Sequence, residues 1–342
     1  MRTNLEKIKL SIVIPVYSGA GYLESLIRQL DDLRSSWIEK GMPLELTEAI
    51  FVDDAAIDKS LTVLNSLSKN YAWISILSLS RNFGQHPATE AGILYTSGDW
   101  VVTLDEDLQH PPSLIEPLLL KAVKDECDIV YANPRQAVHQ NLVRDLGSRL
   151  YKRLIARLTG IKSIPYINSF RLIRGTIARA ASSVCSHDTY LDIALTWFTE
   201  RIGFVAADLK DERHIANGTS GYNLRKLMSH ARRMIFSTQT KALRFGGFMG
   251  IIAFILSLTY GSYIILNAFF GWVDTEIKGW ASLVVIISFL GGMSLLLISF
   301  LIEYISIILL NIQGKPTFFV VDRSTDRILL EYFMDPKNAD PS

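Results

Sequence analysis

The apolar positions of this 342-residue chain are arranged in two different ways. Between residues 9 and 132, short β-branched runs alternate with stretches of helical spacing, whereas beyond residue 246 the apolar runs are long and unbroken. The short runs predict buried strands at 10–17, 48–54, 73–79, 100–105 and 128–132, and the stretches between them predict helices at 22–37, 59–69, 85–96 and 113–125. Repeated strand–helix–strand units of this kind predict an α/β domain built on a mostly parallel sheet.

The long apolar runs predict a membrane hairpin. Residues 246–270 contain no ionisable side chain except two tyrosines, and residues 280–312 contain a single charge, Glu303. A membrane-spanning helix needs about 20 apolar residues, so each run is long enough to cross a bilayer. Two core helices of a soluble protein would not be apolar on all sides over such a length.

Basic residues next to the first run predict how the hairpin is oriented. Residues 224–245 alternate apolar positions with arginines and lysines, which predicts an amphipathic helix at the membrane surface. A surface helix packed on the soluble domain is the alternative. Because basic residues flank both spans on one side, we expect residues 1–223, the tail at 313–342 and both termini to be cytoplasmic, in a multi-pass protein of the inner (plasma) membrane.

Composition excludes several classes of protein. With 35 Lys and Arg against 34 Asp and Glu, the chain has no excess charge for binding nucleic acid. Cys127 and Cys185 lie far apart, which argues against a disulfide framework or a zinc site.

Polar residues follow the predicted strands, where α/β sheets bind their ligands. Asp53 and Asp54 end the second strand, and Asp105 and Asp107 end the fourth. Alternate carboxylates at a strand end supply the hard oxygen ligands that suit Mg²⁺ or Mn²⁺ bound together with substrate phosphates. The alternative interpretations are a short acidic turn for the second pair and, for the first pair, a helix N-cap at Asp54 or Asp58.

The motifs in their order resemble a known family. They are I-V-I-P-V-Y at 12–17, V-D-D at 52–54, S-R-N-F-G-Q-H at 80–86, T-L-D-E-D-L-Q-H-P-P at 103–112, F-R-L at 170–172 and G-T-S-G-Y at 218–222. Together with the two apolar runs, this order resembles the family 2 glycosyltransferases that act on polyprenyl phosphate. The resemblance covers residues 9 to 325 and implies a GT-A (nucleotide-diphospho-sugar transferase) fold followed by the two-helix transmembrane hairpin.

The resemblance also implies an activity. A sugar would pass with inversion from a UDP- or GDP-linked donor to polyprenyl (undecaprenyl) phosphate at the cytoplasmic membrane face, for use in envelope glycans or lipopolysaccharide. The implied cofactor is Mg²⁺ or Mn²⁺, and a homo-oligomer is possible.

Roles for individual residues come from the same resemblance. The implied catalytic residues are Asp105, Asp107, Arg135 and Arg171. The implied metal ligands are Asp107, Asp105 and Gln109. The implied nucleotide and donor contacts are Pro15, Tyr17, Asp53, Asp54, Arg81, Gln85, Ser220 and Tyr222.

Three departures from the family pattern leave other functions open. Ser18-Gly19 stands where the family has N-E, Ala55-Ala56 where it has G-S, and Asn168-Ser169 where it has G-D. A silent scaffold or lipid-binding homologue is therefore one alternative. A processive polysaccharide synthase subunit is another, although the chain contains no Q-x-x-R-W motif and has too few spans for a channel.

Overall fold

The computed structural model describes residues 7–134, 167–186, 189–207, 279–312 and 316–321, with isolated helical positions between 252 and 270. Three predicted site residues, Arg135, Ser220 and Tyr222, lie outside these ranges, as does the predicted interfacial helix at 224–245. The predictions made for them, and the predicted domain boundaries, stay predictions.

Strands and helices alternate from the start of the described chain, as the apolar pattern predicts. In order they are β1 (Ile8–Val16), α1 (Leu23–Glu39), β2 (Leu44–Asp53), α2 (Ser60–Leu67), β3 (Ile74–Ser78), α3 (Gln85–Leu94), β4 (Trp100–Thr103), a 3-10 turn (Pro112–Leu114), α4 (Ile115–Lys124) and β5 (Ile129–Pro134). All five predicted strands and all four predicted helices are confirmed, with ends that move by a few residues.

The sheet is mostly parallel, as predicted, with one antiparallel strand in the described part of the chain. Further along the chain come β6 (Arg171–Arg174), α5 (Gly175–Val184), α6 (Leu191–Phe198) and β7 (Ile202–Ala207). The strand order is β3-β2-β1-β4-β6-β5-β7. The first four strands are parallel, and β6 runs antiparallel to both of its neighbours, β4 and β5. The sequence analysis did not predict β6 or β7. Strand β6 has only four residues, with arginine at both ends, and carries little periodicity.

Strand residues alternate between two core layers, one on each face of the sheet. Along β1, Ile12 and Ile14 belong to the layer formed with α1, α2 and α4, whereas Val13 belongs to the layer formed with α3, α5 and α6. Helix α1 places its fully buried residues on one side at helical spacing, namely Leu23, Leu26, Ile27 and Leu30. Because both faces are covered, the strands are apolar almost throughout, and each large buried side chain contributes roughly 1.5–3 kcal/mol.

The segment 316–321 adds a short pairing to the outer edge of the sheet. Leu79 and Val320 form an antiparallel bridge, in which the Ser80 N–H donates to the Phe319 carbonyl at 2.9 Å and the Val321 N–H donates to the Ser78 carbonyl at 2.9 Å. The pairing covers part of the edge strand β3, whose free backbone groups would otherwise be open to another chain. A part of the chain that follows the second apolar run is thereby held beside the end of β3.

The second apolar run is helical. Helix α7 extends over Trp280–Ile312, the bounds predicted from the sequence for the second span. Counting only the residues that the structure describes, no helix is long and apolar enough to cross a membrane. The transmembrane hairpin accordingly stays a prediction.

Candidate active site

A cavity of about 280 Å³ opens at the carboxyl ends of β1, β2 and β4. Its volume lies near the lower end of the roughly 300–1,000 Å³ typical of small-molecule sites. The register of the parallel strands brings these ends level, since Val16 pairs with Asp53 and Val13 with Thr103. The residues that line it are Pro15, Val16, Tyr17, Ser18, Asp54, Asn82, Gly84, Gln85, Asp105, Glu106 and Asp107.

Asp54 fixes the loop between β3 and α3. Its two carboxylate oxygens accept the backbone N–H groups of Phe83 at 2.7 Å and Gly84 at 2.8 Å. Burial raises the pKa of Asp54 above its ordinary value, although these two hydrogen bonds oppose the rise. Gly84 has a φ of +98°, a backbone conformation open to glycine, so it can turn its N–H toward the carboxylate. The side chain predicted to contact the nucleotide thus also holds the loop that forms one wall of the cavity.

The turn after β2 is closed by Asp53. Its Oδ1 accepts the Ala56 N–H at 2.8 Å, and the side chain is buried beside the cavity without lining it. Within this turn, Ala55 has a φ of +52°, in the left-handed region. This is the position where the family pattern has glycine, and an alanine there costs roughly 1–2 kcal/mol of backbone strain.

Glu106 holds the opposite wall, and the sequence analysis did not assign it this function. It is buried, and its carboxylate accepts the Tyr17 N–H at 2.9 Å and the Ser18 N–H at 3.1 Å. A Cβ on Gly19 would lie 2.5 Å from Glu106 Oε2, so a larger residue there would displace the Glu106 carboxylate. The Gly19 that departs from the family pattern was therefore the one sequence signal for this contact.

Both oxygens of the Asp105 carboxylate accept a neutral donor. Gln85 Nε2 donates to Oδ1 at 2.7 Å, and Ser169 Oγ donates to Oδ2 at 2.9 Å. The Asp105 N–H donates to His110 Nδ1 at 3.0 Å, and His110 Nε2 lies 3.7 Å from Oδ2. Burial lowers the pKa of His110, although both nearby aspartates oppose this. The ring of His110 stacks on Phe170 at 4.9 Å, which fixes its orientation.

Asp107 is buried and lines the cavity beside Asp105. Its Oδ1 accepts the Gln109 N–H at 3.3 Å, and Gln109 itself does not line the cavity. Leu108, between them, has a φ of +62°, so the turn that aims Asp107 at the cavity is strained.

The chemistry of the donor set fits a divalent cation bound with a substrate. No cluster of three or more His, Cys, Asp or Glu side chains that could hold a metal occurs among the described residues. Mg²⁺, however, usually binds one or two carboxylates and takes its remaining ligands from water and substrate phosphates. Two aspartates that line one cavity meet that requirement.

Arg171 is placed differently from the expectation. The resemblance implied that it is a catalytic residue; in the structure its side chain is buried and forms an ion pair with Asp192 of α6. Tyr131 Oη donates to the same Asp192 oxygen at 2.8 Å. Burial opposes the charge of Arg171, but Asp192 more than compensates and raises its pKa above the ordinary value. The charge of Arg171 is thereby neutralised inside the domain, on the α6 side of the sheet.

The remaining predicted residues divide between the cavity and its surroundings. Pro15, Tyr17 and Gln85 line the cavity together with Asp54, Asp105 and Asp107, and their predicted contacts with the donor stay predictions. Arg81 is exposed and does not line it, and its guanidinium lies 4.2 Å from the centroid of the Phe83 ring.

The mostly parallel mixed sheet, with a cavity at the carboxyl ends of its strands, defines a GT-A-like α/β fold. The family model for glycosyl transferase family 2 matches residues 11–180. An uncharacterized glycosyltransferase of Synechocystis sp. is 34% identical over 316 residues, which covers 92% of this chain and 95% of that protein. The chain therefore belongs to glycosyl transferase family 2 and is a glycosyltransferase, as its motifs suggested.

Two further matches extend this result. A bactoprenol glucosyl transferase of Shigella phage SfX is 27% identical over 320 residues, covering 92% of this chain and all of that protein. The crystal structure of mannosyl-3-phosphoglycerate synthase from Rubrobacter xylanophilus is similar with a TM-score of 0.50 at 15% identity, covering 70% of this chain and 75% of that one. This last likeness concerns the fold alone.

Proposed function

We propose that the protein transfers a sugar, with inversion, from a UDP- or GDP-linked donor to polyprenyl phosphate such as undecaprenyl phosphate. The product is a lipid-phosphate-linked sugar for envelope glycan or lipopolysaccharide modification. The observation that carries this proposal is the convergence of Asp54, Asp105 and Asp107 on one cavity at the carboxyl end of the sheet. The relative named bactoprenol glucosyl transferase, matched over nearly the whole chain, supports a lipid acceptor.

A divalent cation, Mg²⁺ or Mn²⁺, completes the proposed site. Asp107 and Asp105, which both line the cavity, would hold it. When bound, the cation offsets charge on the donor diphosphate and on the leaving nucleotide.

The acceptor supplies its own nucleophile. A phosphate monoester has a second pKa near 6, so its oxygen is mostly anionic at neutral pH. That oxygen attacks the anomeric carbon, the bond from this carbon to the donor diphosphate breaks, and the nucleoside diphosphate leaves. No proton has to be removed from the acceptor. Asp54, Asp105 and Glu106 already accept hydrogen bonds from fixed donors and serve to shape and charge the cavity.

We also propose that this reaction takes place at the cytoplasmic face of the membrane. The acceptor lipid cannot leave the bilayer, and the apolar runs at 246–270 and 280–312 are long enough to keep the enzyme there. The basic residues between 224 and 245 are those expected of a helix that binds anionic headgroups.

The proposal is tested with the full-length chain in detergent, undecaprenyl phosphate, Mg²⁺ or Mn²⁺ and a panel of UDP- and GDP-sugars. We expect one donor to be used, and chelation of the metal to abolish transfer. Asp107→Ala should reduce kcat/KM by about a hundredfold or more, the loss typical of removing one electrostatic group from a transition state. Asp32→Ala, which changes an exposed carboxylate on α1, is the matched control and should be as active as the wild type.

Metal-dependent transfer that persists at full rate in Asp107→Ala would overturn the assignment of Asp107. Failure of the wild-type protein to bind any nucleotide-sugar by calorimetry would instead favour a silent scaffold.

A further inference from the structure

Ser169 reaches the proposed site from the loop that precedes β6. It is one of the departures from the family pattern, which has aspartate at this position. Its hydroxyl donates to Asp105 Oδ2 at 2.9 Å across 64 positions of sequence. The departure therefore lies in direct contact with a predicted catalytic residue.

The loop that carries Ser169 is held on both sides by backbone and side-chain hydrogen bonds. Thr103 Oγ1, at the end of β4, donates to the Ser169 carbonyl, and Asn168 Nδ2 donates to the Ala132 carbonyl of β5. The Phe170 N–H donates to Asn168 Oδ1 at 2.9 Å, and the Phe170 side chain is fully buried. The Ser169 hydroxyl is consequently preorganised by two strands and by the core.

Gln85 holds the other oxygen of the same carboxylate. It is the first residue of α3, and its amide donates to Asp105 Oδ1 at 2.7 Å. Donors from two separate elements thus fix the plane of the Asp105 carboxylate at the cavity wall. A carboxylate held at both oxygens has little rotational freedom, which is what positioning a reacting group requires.

The chemistry of a hydroxyl differs here from that of the aspartate in the family pattern. A carboxylate at position 169 would place two negative charges within hydrogen-bond distance of each other, and such a pair needs a proton or a cation between them. A serine instead donates a hydrogen and stabilises Asp105 without adding charge. The site keeps the orientation of Asp105 with one fewer negative charge.

We infer that Ser169 is a positioning residue for the transfer reaction, which orients Asp105 in the cavity together with Gln85. This inference rests on the proposed function. Compared with the family pattern, the sequence shows only the loss of a carboxylate at position 169. On this inference, the serine that replaces it has the task of orienting Asp105.

The test compares Ser169→Thr with Ser169→Val, two side chains of nearly the same shape that differ in the hydroxyl. Transfer to undecaprenyl phosphate is measured at saturating and at limiting donor, with nucleoside diphosphate binding followed separately by calorimetry. Ser169→Thr should keep kcat within about threefold of the wild type, whereas Ser169→Val should lose about ten- to a hundredfold, since the bond is made to a charged acceptor. In the valine variant the loss in kcat should exceed the change in donor KM and in nucleotide binding, because the hydroxyl orients Asp105 without itself contacting the nucleotide.

Equal kcat values for the threonine and valine variants, or a loss confined to KM, would overturn the inference. Ser169→Ala serves as a smaller replacement if valine prevents folding, and melting temperatures of all variants show whether a loss is structural. Gln85→Met, which removes the second hydrogen-bond donor to Asp105, should also lower kcat. A wild-type enzyme that transfers no sugar would contradict the proposed function, while an active wild type with fully active valine and alanine variants contradicts only the assignment of Ser169.

Discussion

Two polar clusters in the domain contrast in how their charge is balanced. In the cavity, the carboxylates of Asp54, Asp105 and Glu106 accept hydrogen bonds from backbone N–H groups, an amide and a hydroxyl, all of them neutral donors. In the buried cluster, the carboxylate of Asp192 accepts from Tyr131 and pairs with the charged Arg171.

The two ways of balancing charge have different consequences for ligand binding. Neutral donors orient a carboxylate but leave its negative charge to act on a ligand, so the cavity stays suited to a cation or a developing positive charge. An ion pair in the interior cancels its own charge and has little left for a substrate. Of the two clusters, the first lines the cavity, whereas the second balances its charges within the interior.

The largest expected effect on the free energy of unfolding comes from breaking the ion pair of the buried cluster. Arg171→Met leaves Asp192 charged and unpaired in the interior, which should lower the free energy of unfolding by about 3–5 kcal/mol. Arg171→Met combined with Asp192→Leu removes both charges and should recover most of that loss. Urea denaturation followed by tryptophan fluorescence measures both. If Arg171→Met alone loses less than about 1 kcal/mol, Asp192 does not depend on Arg171 for its burial, and the proposed contrast between the two clusters is wrong.

A smaller loss of stability is expected when Glu106, at the cavity wall, is replaced. Glu106→Gln keeps the shape of the side chain but turns an N–H₂ toward the backbone N–H groups of Tyr17 and Ser18. Since hydrogen bonds to a charged acceptor are worth about 1.5–3 kcal/mol, a stability loss of about that size or somewhat less should follow. The loss should be accompanied by weaker donor binding in calorimetry.

The control for Glu106 is Glu24→Gln on the surface of α1. Its side chain is 71% exposed and pairs with Arg28, so its loss should cost less than about 0.5 kcal/mol. If Glu106→Gln is as mild as this control, the wall formed by Tyr17 and Ser18 does not depend on Glu106.

The smallest effect on stability is expected in the turn after β2. Here the comparison is between Ala55, which has a left-handed φ, and its neighbour Ala56, which does not. Ala55→Gly relieves the left-handed φ of +52°, and this gain should exceed the entropy lost to a more flexible unfolded chain by roughly 0.5 kcal/mol. Ala56→Gly, at a neighbour without a left-handed φ, should instead destabilise by about 0.5–1 kcal/mol. Thermal unfolding of the pair gives the sign, and a destabilising Ala55→Gly would mean that the strain is offset locally.

The local pattern of apolar residues was sufficient to predict five of the seven described strands of the sheet. Apolar runs and helical spacing predicted β1 to β5 with the helices between them, because strands buried on both faces leave a signal in every residue. The same reasoning found most of the cavity, since parallel strands end at one edge and Asp54, Asp105 and Asp107 follow directly from those ends. It missed β6, whose four residues have too little periodicity to show a strand.

The sequence by itself thus determined the family, the parallel core and the set of carboxylates at the cavity. Only the tertiary structure decided which partner each polar side chain takes. Glu106 meets Tyr17 across 89 positions, Asp105 meets Ser169 across 64, and Arg171 meets Asp192 across 21. The physical reason is that residue type and spacing reveal what a side chain can bond to, whereas burial and the packing of distant strands select the bond that forms.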